Sequence, residues 1–120
     1  MNDSELYEQA KAAAAGAYAP YSKFNVGAAA LLRDGRVITG VNVENASYPL
    51  GMCAERCALS RAVAEGARPG DIEVVAVTAS PCGGCRQWFH EFHVDRVLFW
   101  HAGELLVRRP DQLLPDSFEL

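Results

Sequence analysis

Ile72-Glu73-Val74-Val75-Ala76-Val77, continuing through Thr78-Ala79-Ser80 into Pro81-Cys82-Gly83-Gly84-Cys85, is the stretch on which the architecture turns. Its first part is a nearly continuous apolar run, the pattern of a strand buried on both faces and of the kind that pairs in parallel. Pro81 then opens a helical segment over residues 82–92. Upstream, residues 52–65 read as a helix rich in Ala and Leu that Gly66 ends, with Pro69-Gly70 reinforcing the stop. Further back, residues 24–32 and 37–44 suit two strands, and Asp34-Gly35 between them is a two-residue hairpin signal. Leu6, Ala10, Ala13 and Ala17 form a helix face, capped by Asp3 or Ser4 and stopped by Ala19, because Pro20 disfavours helix in the residue before it. Downstream, residues 96–100 and 105–107 read as strands and 111–114 as a last helical turn. The order αββαβαββα implies an α/β mixed sheet with helices on its faces.

The 120 residues fit a single domain, 1–120, with no linker-like stretch and no internal repeat. Half of the residues are apolar and 22% are charged, as in ordinary globular domains. No run approaches the roughly 20 apolar residues that cross a bilayer, and no basic segment precedes an apolar one at the N-terminus. A cytoplasmic protein without a membrane partner is therefore expected. The net charge of -4 disfavours nucleic acid as a partner, since phosphate neutralisation supplies most of the affinity for a polyanion. Arg108-Arg109 reads as a solvated strand end, and a small neutral substrate suits the balance better.

Four cysteines without a secretory signal point to metal or catalytic use rather than to disulfides. Cys53-Ala54-Glu55, then 25 residues, then Pro81-Cys82-Gly83-Gly84-Cys85 bring two thiolates from one helical turn and a third from the start of another helix. Zinc favours four tetrahedral ligands, and three from protein leave the fourth for water. The same thiolate set also suits iron. Helix N-termini aimed at the ion stabilise thiolates through their free N–H groups. Glu55, two residues after Cys53, lies beside the metal without being needed to bind it. A carboxylate there can take the proton of a water and return it to a leaving amine, the shuttle that removal of an exocyclic amine requires. In the second hairpin strand Ile38, Gly40, Asn42 and Glu44 share one face, which makes Asn42 and Glu44 neighbours.

With the flanks included, the sequence resembles the small cytidine deaminases. The resemblance rests on Tyr18-Ala19-Pro20-Tyr21-Ser22-Lys23-Phe24, Asn42-Val43-Glu44-Asn45, Cys53-Ala54-Glu55-Arg56 and Pro81-Cys82-Gly83-Gly84-Cys85-Arg86-Gln87, and it runs from the first helix to Leu114-Pro115. It implies a three-layer α/β/α cytidine-deaminase-like fold with a mixed five-stranded sheet, and one Zn2+ per subunit on Cys53, Cys82 and Cys85. It also implies catalysis by Glu55, packing of Phe24 against the pyrimidine, sugar contacts from Asn42 and Glu44, and further substrate contacts from Ala54 and Tyr48. Arg56 is expected to bond the metal thiolates, offsetting the net negative charge that three of them leave on zinc. Phe118 is expected to reach the site from an adjacent chain, in a homotetramer with sites at subunit interfaces. The implied reaction is hydrolytic deamination of cytidine and 2'-deoxycytidine in pyrimidine salvage. A carboxylate at the sugar opposes phosphate, so a nucleoside fits better than a nucleotide.

Other readings explain less. Deaminases of the antibiotic blasticidin S share the metal motif, but Asn42-Val43-Glu44-Asn45 favours a ribose-bearing substrate. A structural zinc site closed by Cys57, one helical turn after Cys53, leaves Glu55, Asn42 and Glu44 unexplained. A polynucleotide editor needs a basic track for the strand. His90, His93 and His101 stand outside the ligand pattern, and Trp88, Phe89 and Phe92 read as a helix packing face. The chain departs from the family pattern in its short Thr78-Ala79-Ser80 connection, in Cys57 and Trp88, and in a tail that ends two residues after Phe118.

Overall fold

The computed structural model describes all 120 residues. Helix α1 (Asp3–Ala13) is capped by Asn2, one residue before the expected caps. Its side chain accepts the Glu5 N–H at 2.8 Å while the Glu5 carboxylate accepts the Asn2 N–H at 3.0 Å, a reciprocal cap that leaves no such role for Asp3 or Ser4. The helix gives way to a 3-10 turn at Ala14–Gly16, ending short of Ala19.

Strands β1 (Gly27–Leu32) and β2 (Val37–Val41) pair antiparallel, as expected of the hairpin. The turn is one residue longer than the Asp34-Gly35 expectation, taking in Arg33 as well. Gly35 N–H bonds Leu32 C=O and Leu32 N–H bonds Arg36 C=O, so three residues are looped out and only Gly35, at φ 97°, takes the left-handed conformation. Both strands are shorter than expected. The backbone of Phe24 bonds side chains instead of a ladder, and beyond Val41 the chain makes only isolated bridges, from Val43 to Tyr18 and to Met52.

Helix α2 (Ala54–Ala64), strand β3 (Ile72–Val77), helix α3 (Gly83–Glu91), strands β4 (Arg96–His101) and β5 (Glu104–Arg108) and a final turn α4 (Pro110–Leu113) complete the chain. The five strands lie in the order β2-β1-β3-β4-β5, with β3 and β4 parallel and the other pairs antiparallel. This is the mixed sheet the alternation implied. No helix is long and apolar enough to cross a membrane.

Strand alternation divides the core into two layers. Ala29, Val74, Ala76 and Leu98 face Leu6 and Ala10 of α1. Ala28, Ala30, Val75, Val77, Val97 and Phe99 face the opposite way, against Ala58, Leu59 and Ala62 of α2 and Phe89 of α3. The result is the three-layer α/β/α arrangement. Small residues in β1 and β2 let the helices approach closely: a methyl group at Gly27 would fall on the backbone of Ala10 and Ala14, and one at Gly40 on that of Ala54 and Ala58. Gly40 thereby holds the start of α2 against β2, whose continuation carries Asn42 and Glu44.

Candidate active site

The cysteines cap the helices that present them. Cys53 is the N-cap of α2 and Cys82 the N-cap of α3, with Cys85 in the first turn of α3. Neither cap is filled by a side-chain hydrogen bond, so the free N–H groups and the positive ends of both helices lie beside sulfur. The three Sγ atoms lie within 4.8 Å of one another, and Cys53 and Cys82 are 3.8 Å apart. Two thiolates at about 2.3 Å from one tetrahedral zinc stand about 3.8 Å apart, so the spacing fits that ion. Cys57 is outside this cluster, which removes the closed four-thiolate site. None of His90, His93 and His101 joins it either.

Electrostatics favour anionic sulfur at this place. The Cys53 thiol is pushed down to about 5, first by the hydrogen bond from Cys85, with further help from Arg56 and Cys82 against the opposing effect of burial. Sharing that bond, and buried itself, Cys85 is raised and keeps its proton when no metal is bound. Arg56 Nη2 donates to Cys53 Sγ at 3.3 Å. Its Nε is buried without a partner, a donor that a neighbouring thiolate would satisfy.

Glu55 is only 4% exposed, the one buried charged residue in the chain. Burial raises its carboxyl to about 7, and the nearby charge of Cys53 adds to the rise. A carboxyl that gains and loses its proton near neutrality is suited to proton transfer. Ala54, first residue of α2, is buried, and its backbone N–H has no acceptor within the helix.

Beside the cysteines opens a cavity of about 610 Å³, bounded by Ser22, Asn42, Glu44, Tyr48, Cys53 and Arg56 among others. Asn42 and Glu44 both line it, although β2 ends at Val41 and they lie on its irregular continuation rather than on the expected strand face. Asn42 Nδ2 donates to Phe24 C=O at 2.9 Å and its Oδ1 accepts the Val26 N–H at 2.8 Å. These bonds fix the backbone beside Phe24, a residue that is 61% exposed and not among those lining the cavity. Tyr48, 91% exposed, stands on the short 3-10 turn Tyr48–Leu50. Phe118 lies elsewhere: Gln87 Nε2 on α3 donates to its carbonyl at 3.0 Å, and the residue is 69% exposed.

The short Thr78-Ala79-Ser80 connection is pinned rather than loose. Thr78 N–H bonds Gly27 C=O at 3.0 Å and Thr78 Oγ1 accepts the Gly27 N–H at 3.1 Å, which aims the chain from β3 into Cys82. Arg86 reinforces this, donating to Pro81 C=O and Leu113 C=O at 2.9 and 3.1 Å. On the helix packing face Phe89 is buried in the core, while Trp88 and Phe92 stack on each other at 5.9 Å along a groove between α2 and α3. Tyr21 and Ser22 are among the cavity residues to which the sequence assigned no role. The backbone N–H groups of Tyr21 and Ser22 bond Glu44 at 2.9 and 3.1 Å, and the Ser22 hydroxyl bonds it too. Their place in the motif before Phe24 was the available signal.

The family described as the cytidine and deoxycytidylate deaminase zinc-binding region matches residues 1–101. A cytidine deaminase of Halalkalibacterium halodurans is 52% identical over 98% of this chain and 95% of its own length. One of Mycobacterium tuberculosis is 48% identical over 96% of this chain and 88% of its own. The crystal structure of cytidine deaminase from Burkholderia pseudomallei superposes with a TM-score of 0.91 at 45% identity, covering 98% of this chain and all of that one. With three clustered thiols, a buried carboxyl beside them and this extent of similarity, the chain belongs to the zinc-binding cytidine deaminase family of hydrolytic deaminases.

Proposed function

We propose that this protein hydrolyses cytidine and 2'-deoxycytidine to uridine and 2'-deoxyuridine, releasing ammonia, and that it serves pyrimidine salvage in the cytoplasm as one domain spanning residues 1–120. The observation that carries the reading is the position of Glu55, buried two residues from Cys53 with its carboxyl at about 7. Cys53, Cys82 and Cys85 would hold zinc, which when bound supplies the Lewis acidity that makes water a nucleophile at neutral pH. Glu55 takes a proton from the attacking water and passes it to the ring nitrogen, then takes the proton of the hydroxyl added to the ring carbon and gives it to the amine as the C–N bond breaks and the carbonyl forms. Arg56 holds the charge of the thiolates in balance through its bond to Cys53 Sγ.

Phe24 packs on the pyrimidine, and the Ala54 N–H and Tyr48 contact the substrate. Asn42 retains one N–H and one lone pair beyond its bonds to Phe24 and Val26, enough to meet a sugar hydroxyl together with Glu44. Phe118 closes the site of an adjacent chain in a homotetramer. The exposed residues Phe24, Tyr48 and Phe118 support this, as surface that a partner would cover.

The test is the ultraviolet absorbance of cytidine incubated with zinc-loaded protein, beside a Glu55→Gln variant whose zinc content is measured. Conversion by the first and not by the second, at equal zinc, is the expected result. Absence of conversion by fully loaded wild type would remove the nucleoside assignment. Light scattering checks the tetramer separately.

A further inference from the structure

Within the loop before β1 a single hydroxyl bonds both Glu44 and the Phe24 backbone. Ser22 Oγ donates to Glu44 Oε2 and accepts the Phe24 N–H at 3.0 Å. The other carboxylate oxygen, Oε1, accepts the backbone N–H groups of Tyr21 at 2.9 Å and Ser22 at 3.1 Å. A carboxylate offers about four acceptor positions, two on each oxygen. Three are occupied here, both on Oε1 and one on Oε2, so the remaining one lies on Oε2, the oxygen whose direction Ser22 sets. The Phe24 C=O is taken by Asn42 Nδ2, so one continuous chain of hydrogen bonds runs Glu44, Ser22, Phe24, Asn42.

We propose that Ser22 is a positioning residue for sugar recognition: its hydroxyl aims the free lone pair of Glu44 at the secondary hydroxyls of the sugar. The inference rests on the reading of Glu44 as the sugar contact. Lys23, between the two bonded residues, is held at φ 61°, a conformation that a residue other than glycine keeps only when its surroundings enforce it. Ser22 itself is exposed, and its hydroxyl is not needed to fill the core. A hydroxyl that merely closed the turn would affect all substrates alike. One that aims Glu44 matters only for substrates with sugar hydroxyls to bind.

Steady-state kinetics of the zinc-loaded enzyme with cytidine and with 2',3'-dideoxycytidine, which lacks both secondary sugar hydroxyls, separate these roles. Loss of one hydrogen bond to a charged group predicts that Ser22→Ala raises KM for cytidine about tenfold, with kcat changed by less than about twofold and the dideoxy substrate by less than about twofold in KM. Ser22→Thr should restore cytidine KM while Ser22→Val should not, and this pair, alike in shape, repeats the test if alanine lowers zinc content. Equal penalties on both nucleosides, or a fall in kcat at constant KM, would overturn the inference while leaving the deaminase reading intact. Wild-type enzyme inactive on both nucleosides would overturn that reading and this inference with it.

Discussion

Gly40 of β2 lies against the backbone of Ala58, one turn into α2, so closely that a side chain of any size would overlap it. The contact sets the height of α2 above the sheet, and the N-cap of α2 is Cys53. Gly40→Ala is expected to force the helix outward and to lower stability by about 3 kcal/mol, at the upper end of overpacking costs because every atom it would meet is backbone of α2. Urea unfolding of the zinc-loaded protein measures this. A loss below about 1 kcal/mol would show that α2 can shift freely.

Much of this was legible beforehand, for reasons that differ by element. The apolar run Ile72–Val77 announced its strand because both faces are buried, and Cys53, Cys82 and Cys85 announced a metal centre because thiol spacing survives without tertiary knowledge. What lay hidden depended on contacts between distant residues or on competition among neighbours. Ser22 meets Glu44 across 22 positions, and no local pattern encodes that bond. Asn2, Asp3 and Ser4 are all competent caps, and only the reach of Glu5 back to Asn2 decides among them. Similarly, the β1 strand stops at Gly27 because Asn42 and Ser22 claim the backbone groups of Phe24, a choice that propensity cannot see.

Arg56 is placed to strengthen the metal centre through Cys53, with one donor engaged and its Nε still free. Arg56→Gln removes the charge and most of the donors. Groups that support metal ligands commonly contribute 10- to 100-fold in metal affinity, and a loss of about that size is expected here. Competition against a chromogenic zinc chelator reads it directly. Arg56→Lys should recover only part, since an ammonium cannot reproduce the planar fork. Unchanged affinity in both variants would mean that the guanidinium serves packing alone.

Removing zinc should expose an asymmetry among the cysteines. With Cys53 pushed down to about 5 and Cys85 raised, the stripped protein carries its thiolate at Cys53 at neutral pH. Brief treatment with iodoacetamide at pH 6.5 after chelation is expected to label Cys53 well ahead of the buried Cys85, because the thiolate is the nucleophile. Peptide mass spectrometry gives the ratio. The zinc-loaded protein should resist labelling at both, and preferential labelling of Cys85 would reverse the assignment.

Glu44 supplies the pH dependence of the loop. Its carboxyl is lowered below the usual carboxylate value, first by the Ser22 hydroxyl and then by the Ser22 and Tyr21 backbone N–H groups, so the folded state holds its proton less tightly than the unfolded chain. Stability from this group is therefore complete above the unfolded carboxylate pKa and is lost as the pH falls through the lower, folded one. The amide resonances of Tyr21 and Ser22 report the bonds at Oε1, and they are expected to titrate together with a midpoint below that of an unperturbed glutamate, about 4.3. In Ser22→Ala the same midpoint should move up towards that value, because the largest stabilising contact is gone while the two backbone bonds remain. A wild-type midpoint at or above the unperturbed value would mean that the loop does not hold the carboxylate in solution.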